Sequence, residues 1–184
     1  HLGDRRQRQM CIRDSMYPYN RNTHYFQRQS LTAREAKDPA IQELAEDDRL
    51  LALLKVATEE TAQLANRYRR LLTEAPALSS SADMLKSMYL DEKKHLKNLR
   101  EALFLITGET PETPDESQTP STLEVIDPKA YLEETLMQEL DAADFYRNFF
   151  LAVPDGALRD LFFEILTDKQ SHANALTYLF SKYF

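Results

Sequence analysis

The 184-residue chain has one cysteine, Cys11, only three glycines and no tryptophan. A single cysteine excludes an internal disulfide framework, a Cys-x-x-Cys redox pair and a cysteine-rich zinc or rubredoxin-type iron site. Scarce glycine, with Leu, Ala, Glu, Lys and Arg abundant, disfavours a turn-rich β-protein and favours long helices. No apolar run approaches the roughly 18 residues that a bilayer crossing needs, and no charged-then-apolar-then-small leader opens the chain. Positive charge is in deficit: 23 basic against 30 acidic residues give a net charge of −7. That balance argues against nucleic acid or an anionic membrane as partner. The expectation is a cytoplasmic, single-domain protein long enough to bury a real core.

Residues 1–15, HLGDRRQRQMCIRDS, carry no helical or strand period and stop just before Met16. They resemble translated sequencing-adapter read-through and are set aside from the fold reading, as a tag would be. Without their four arginines and two aspartates, 19 basic residues face 28 acidic ones, a net of −9, and the only cysteine is gone. Residues 16–37 form a leader rich in Tyr, Asn, Arg and Gln, too polar to bury a face. A genuine basic tail over 1–15 is the plainer alternative.

From residue 38 onward the pattern is helical. Asp38-Pro39 and Asp127-Pro128 both read as an N-cap followed by a first helical residue. Leu50, Leu54, Ala57, Thr61, Leu64, Tyr68 and Leu71 recur at spacings of three and four, the stripe of a helix over about 39–74. Ala75-Pro76 and Ser79-Ser80-Ser81 interrupt it. Leu85, Met88, Glu92, His95, Leu99, Ala102 and Ile106 mark a second helix over about 82–107, ended by Gly108. Residues 109–125 hold three prolines among Glu, Thr, Ser and Asp and read as a long solvated crossover. Leu132, Thr135, Glu139, Ala142, Tyr146 and Phe149 mark a third helix over about 128–152. Leu158, Leu161, Ile165, His172 and Leu176 mark a fourth over about 155–183. Two short loops around one long middle connection predict an all-α four-helix bundle whose second and third helices run parallel, the ferritin-like arrangement.

The two halves also look like copies. ETAQLANRYRRLL (60–72) set against QELDAADFYRNFF (138–150) pairs Tyr68 with Tyr146. DEKKHLKNL (91–99) set against DKQSHANAL (168–176) pairs His95 with His172. Glu92 and His95 form Glu-x-x-His within the apolar stripe, so a carboxylate and an imidazole point inward one turn apart. Glu139 and His172 fall on the stripes of the third and fourth helices. A buried glutamate requires a cation partner, and four ligand-type residues on three core faces form a candidate metal site. Tyr68, Tyr146 and the phenylalanines 145, 149, 150, 162 and 163 fit packing or a dimer surface better than chemistry.

On the segments YRRLLTEAP (68–76), DEKKH (91–95), LITGETPE (105–112), QELDAADFYRNFF and TDKQSHA (167–173), the chain resembles the rubrerythrin-type ferritin-like proteins. The likeness is greatest to the short cysteine-free forms of spore-forming Firmicutes. The resemblance implies two iron or manganese ions held by one glutamate and one Glu-x-x-His from each half, with peroxide reduction or ferrous oxidation as the activity. It also implies a homodimer and, without a cysteine cluster, an external electron donor. Glu92, His95, Glu139 and His172 match that pattern. The first-helix glutamate position holds Thr61, with Glu60 about 100° round the helix, and the second Glu-x-x-His reads Lys169. Asp168 is a substitute one residue earlier. Two carboxylates and a lysine sum to −1, so two divalent ions would leave about +3 uncompensated in a dry core. Three occupancies follow: two ions completed by Glu60 or Asp168, one ion on Glu92, His95, Glu139 and His172, or none, with Lys169 as the buried counter-charge. The function is therefore either a metal-dependent peroxide- or oxygen-handling oxidoreductase with an incomplete site, or a non-catalytic structural or interaction bundle, with spore association as one setting.

Overall fold

The computed structural model describes residues 48–109, 126–153 and 156–184. The adapter-like segment, the leader, the expected helical residues 39–47, and 110–125 of the crossover lie outside the described residues. Four long helices make up nearly all of it: α1 (Asp48–Glu74), α2 (Ala82–Thr107), α3 (Pro128–Ala152) and α4 (Ala157–Tyr183). The break between α1 and α2 is a single 3-10 segment, Pro76–Ser81, with the proline at its start, where no amide hydrogen is needed. No strand occurs among the described residues, and none of their helices is long and apolar enough to cross a membrane.

Local chemistry sets the helix ends. Asp127 caps α3, its Oδ1 accepting from the Lys129 amide at 3.0 Å, with Pro128 as first helical residue. Gly108 closes α2 in the left-handed region (φ 71°), its amide donating to the Phe104 carbonyl at 2.8 Å.

Packing gives the helix directions. Leu54, Ala57 and Leu64 of α1 cluster with Leu99, Ala102 and Leu103 of α2, whereas Tyr68 and Leu71 meet Leu85 and Met88, so the two helices are antiparallel. The same holds for α3 and α4: Phe149 stacks on Phe162, ring centres 4.7 Å apart, and Leu132 lies with Leu176 and Leu179 at the opposite end. Thr61 touches Tyr146 and Tyr68 touches Glu139, which makes α1 antiparallel to α3. The second and third helices accordingly run parallel. The end of α2 at Gly108 and the start of α3 at Asp127 thus lie at opposite ends of the four helices.

Two apolar clusters result, one at each end. The residues placed on the stripes by their spacing are buried, except that Leu50 and Ile106, near the helix ends, are only partly covered. Phe149 and Phe162 are core; Phe145 and Phe150 are half-buried and Phe163 is exposed. Between the clusters the stripes turn polar.

The caps supply a test of these end assignments. No atom lies within 4 Å of where a Cβ on Gly108 would fall, so Gly108→Ala is burdened only by its backbone and should cost about 1 kcal/mol. Asp127→Ala should cost a similar amount, about 1 kcal/mol, both read as a lower urea midpoint with unchanged slope.

Candidate functional site

The polar layer is built from three of the four helices. Glu92 and His95 come from α2, Glu139 from α3, and Lys169 and His172 from α4, all with no solvent exposure. Three-residue spacing puts Glu92 with His95, and Lys169 with His172, on a single inward face of their helices.

Lys169 occupies the middle of the layer. Its Nζ lies 2.6 Å from Glu92 Oε2 and 3.3 Å from Glu139 Oε2. Burial opposes its charge, but the two carboxylates overcome that penalty and hold the ammonium well above the usual lysine value. Burial alone would raise the Glu92 carboxyl; Lys169, with His172 and His95, holds it well below the usual carboxylate range instead.

His172 Nδ1 faces Glu92 Oε1 at 3.1 Å and Glu139 Oε1 at 3.3 Å, and its Nε2 faces Asp91 Oδ2 at 3.3 Å. A carboxylate only accepts, so a ring with carboxylates at both nitrogens must donate from both and is an imidazolium. Burial pulls the other way, yet Asp91, Glu139 and Glu92 raise His172 well above its ordinary value. His95 is set apart. Its Nε2 meets Asp168 Oδ2 at 3.1 Å, while Nδ1 stands 3.7 Å from Glu92 Oε1, beyond hydrogen-bond reach. Burial opposes charge on His95, but Asp168 and Glu92 outweigh it and raise this ring too.

Tyrosines seal the layer on the α1–α3 side. Tyr68 donates to Glu139 Oε1 at 2.6 Å, and burial together with Glu139 keeps its phenol protonated. Tyr146 pairs with Thr61 Oγ1 at 3.0 Å and is likewise pushed upward by burial. Outside them, Arg67 lies over the Tyr131 ring, 4.1 Å from its centre, and donates to Thr135 and Glu134.

The geometry repeats through an approximate two-fold. Tyr68–Glu139 answers Tyr146–Thr61, and His95–Asp168 answers His172–Asp91. Within this layer, Thr61 against Glu139 and Lys169 against Glu92 break the correspondence.

Of the expected ligands, Glu92, Glu139 and His172 converge, with ligand atoms within 4.8 Å of one another. His95 faces Asp168 instead, so Asp168 serves as that ring's acceptor. Glu60 is exposed and does not join the cluster. It lines an outer cleft of about 300 Å³ between α1 and α3 with Gln63, Gln138, Asp141 and Phe145. Partial burial raises its carboxyl, Lys169 lowering it and Asp141 raising it further. Asp91 is the residue the sequence reading passed over, although pairing 91–99 with 168–176 already matches it to Asp168.

The donor set does not fit a dinuclear centre. Both converging carboxylates are engaged by the lysine nitrogen, His172 has no free lone pair, and the Thr61 hydroxyl is paired with Tyr146. Glu92, Glu139, Asp91 and Asp168 against Lys169, His172 and His95 sum to −1, so two added divalent ions would leave about +3 uncompensated. Comparison of the chain with protein-family models, curated proteins and solved structures gave no match in any of the three.

Removing one partner of such a layer strands the others. Lys169→Met should destabilise the protein at pH 7 by about 3–5 kcal/mol in urea denaturation, and adding Glu92→Gln should recover much of that loss. The His172 contribution is complete below the unfolded value near 6.5 and disappears as pH rises through the higher folded value. Stability should therefore decline on the alkaline side, and His172→Gln should flatten that limb.

Proposed function

We propose that this chain is a ferritin-like, rubrerythrin-type bundle in which a lysine side chain has taken the place of the metal, and that it acts as a non-catalytic structural or interaction module. The observation that carries this reading is Lys169 Nζ, 2.6 Å and 3.3 Å from the two carboxylates that the family pattern assigns to metal. Parallel second and third helices, the internal two-fold and the carboxylate-histidine layer at mid-length support the family half of the proposal. The near-neutral charge sum, with a cation of the chain's own between the carboxylates, supports the metal-free half. Peroxide or oxygen chemistry of the family kind needs the two glutamates that Thr61 and Lys169 replace, so the oxidoreductase reading is the less favoured of the two. A homodimer through exposed apolar side chains such as Phe163 and Leu140 belongs to the same proposal.

Metal content separates the readings. Full-length chain purified without chelator and reloaded with ferrous iron or manganese should hold less than one ion in ten chains by elemental analysis. The Thr61→Glu, Lys169→Glu double variant should take up close to two per chain. Stoichiometric metal in the unaltered chain would overturn the proposal.

A further inference from the structure

The same layer assembles the groups needed for a covalent cross-link. Lys169 Nζ is 2.6 Å from Glu92 Oε2, a second carboxylate, Glu139, stands 3.3 Å from that nitrogen, and all three residues are fully buried. His172 Nδ1 faces the other Glu92 oxygen, Oε1, at 3.1 Å. Tyr68 donates to Glu139 Oε1 at 2.6 Å and leaves Oε2 turned toward the amine. An amine, a carboxyl group, a second carboxylate able to carry a proton and a cation 3.1 Å from the oxygen that would take the developing charge are thus preassembled.

We propose that Lys169 and Glu92 condense, after folding, into an intramolecular amide that staples α2 to α4. This inference rests on the preceding reading, because it requires Lys169 and not a metal between the carboxylates.

The step balances without any added reagent. The ammonium passes one proton along its 2.6 Å hydrogen bond to Glu92 Oε2, and the freed amine attacks the Glu92 carboxyl carbon. The His172 imidazolium, 3.1 Å from Oε1, offsets the negative charge that gathers there. A second proton moves from the nitrogen through Glu139 to the departing hydroxyl. One C–N bond forms, one C–O bond breaks, and one water leaves. Glu139 ends as it began.

Two physical features favour this outcome over a permanent ion pair. Condensation removes two charges from a water-free interior, where ions carry a large desolvation penalty and the amide carries none of that charge. Fixed proximity supplies an effective concentration on the order of 10⁵ M or more in well-oriented cases. Charge balance survives the reaction, since the Glu139 carboxylate and His172 imidazolium remain and cancel. The product joins the α1–α2 hairpin covalently to the α3–α4 hairpin and constrains the unfolded chain as a disulfide would, in a protein with no cysteine pair.

Intact mass of the denatured full-length chain tests the proposal directly. The unaltered chain should be lighter by one water than its sequence mass, and Lys169→Arg should show its full mass. Proteolytic mapping should find the Lys169 peptide joined to the Glu92 peptide. Glu139→Gln, checked for helix content by circular dichroism, should be full mass, because an amide cannot shuttle the proton. A full-mass unaltered chain whose Lys169 amine accepts reductive methylation after unfolding would overturn the cross-link, as would a link to Glu139. Metal content is read on the same sample. A metal-free chain with a free Lys169 overturns the cross-link alone, and a metal-loaded one overturns both readings.

Discussion

Two glutamates with no access to water cannot stay charged inside four helices unless something positive stands between them. In this protein that something is the Lys169 nitrogen, within 3.3 Å of both. Its position constrains everything around it. Lys169 must leave α4 three residues before His172 to reach the layer, and Glu139 must be held by Tyr68 so that one oxygen faces the lysine and the other the imidazolium. The ions do not drive folding, since an ion buried in protein costs several kcal/mol before its partners repay it. The driving force lies in the apolar clusters on either side, where each fully buried leucine or phenylalanine contributes about 1.5–3 kcal/mol. The layer selects instead: a helix rotated or shifted by one turn would bury a charge without its partner.

The two-fold explains how such a layer arises in a chain of this length. Each hairpin contributes a tyrosine, a histidine and an aspartate in equivalent places, and the aspartate of one hairpin faces the histidine of the other. Cross-pairing of that kind ties the hairpins together at mid-length, where the apolar clusters do not reach. The two places where symmetry fails have opposite effects on charge: Thr61 removes a negative charge and Lys169 replaces one with a positive charge. Together they bring the charge of the layer close to zero with the chain's own cations.

Much of this was legible in the sequence, because period and punctuation act locally. The stripes from Leu54 to Leu71 and from Leu132 to Phe149, the Asp127-Pro128 start and the Gly108 stop each follow from residue spacing and backbone preference. The relative directions of the helices follow from loop lengths. Thr61 and Lys169 were visible as departures once the halves were aligned, and Glu60 was visible as lying off the stripe. What a side chain does after it leaves the helix was not legible. Whether Lys169 turns outward depends on what α2 and α3 present to it, and that is a property of packing between segments distant in sequence. The same holds for Asp168, expected beside a metal and found facing His95, and for Asp91, whose role appears only when α2 and α4 are placed side by side. The Ser80 and Ser81 hydroxyls, both within 2.8 Å of the Tyr183 hydroxyl, join residues over a hundred positions apart and leave no trace in either segment alone.

The central claim is that a lysine nitrogen, and not a metal ion, lies between Glu92 and Glu139. A crystal grown with excess manganese or ferrous iron, with diffraction recorded on both sides of that metal's absorption edge, tests it most directly. The account predicts continuous density from the Lys169 side chain to the space between the two carboxylates and no anomalous peak there. An anomalous peak bridged by Glu92, Glu139 and His172, with Lys169 turned outward, would contradict it.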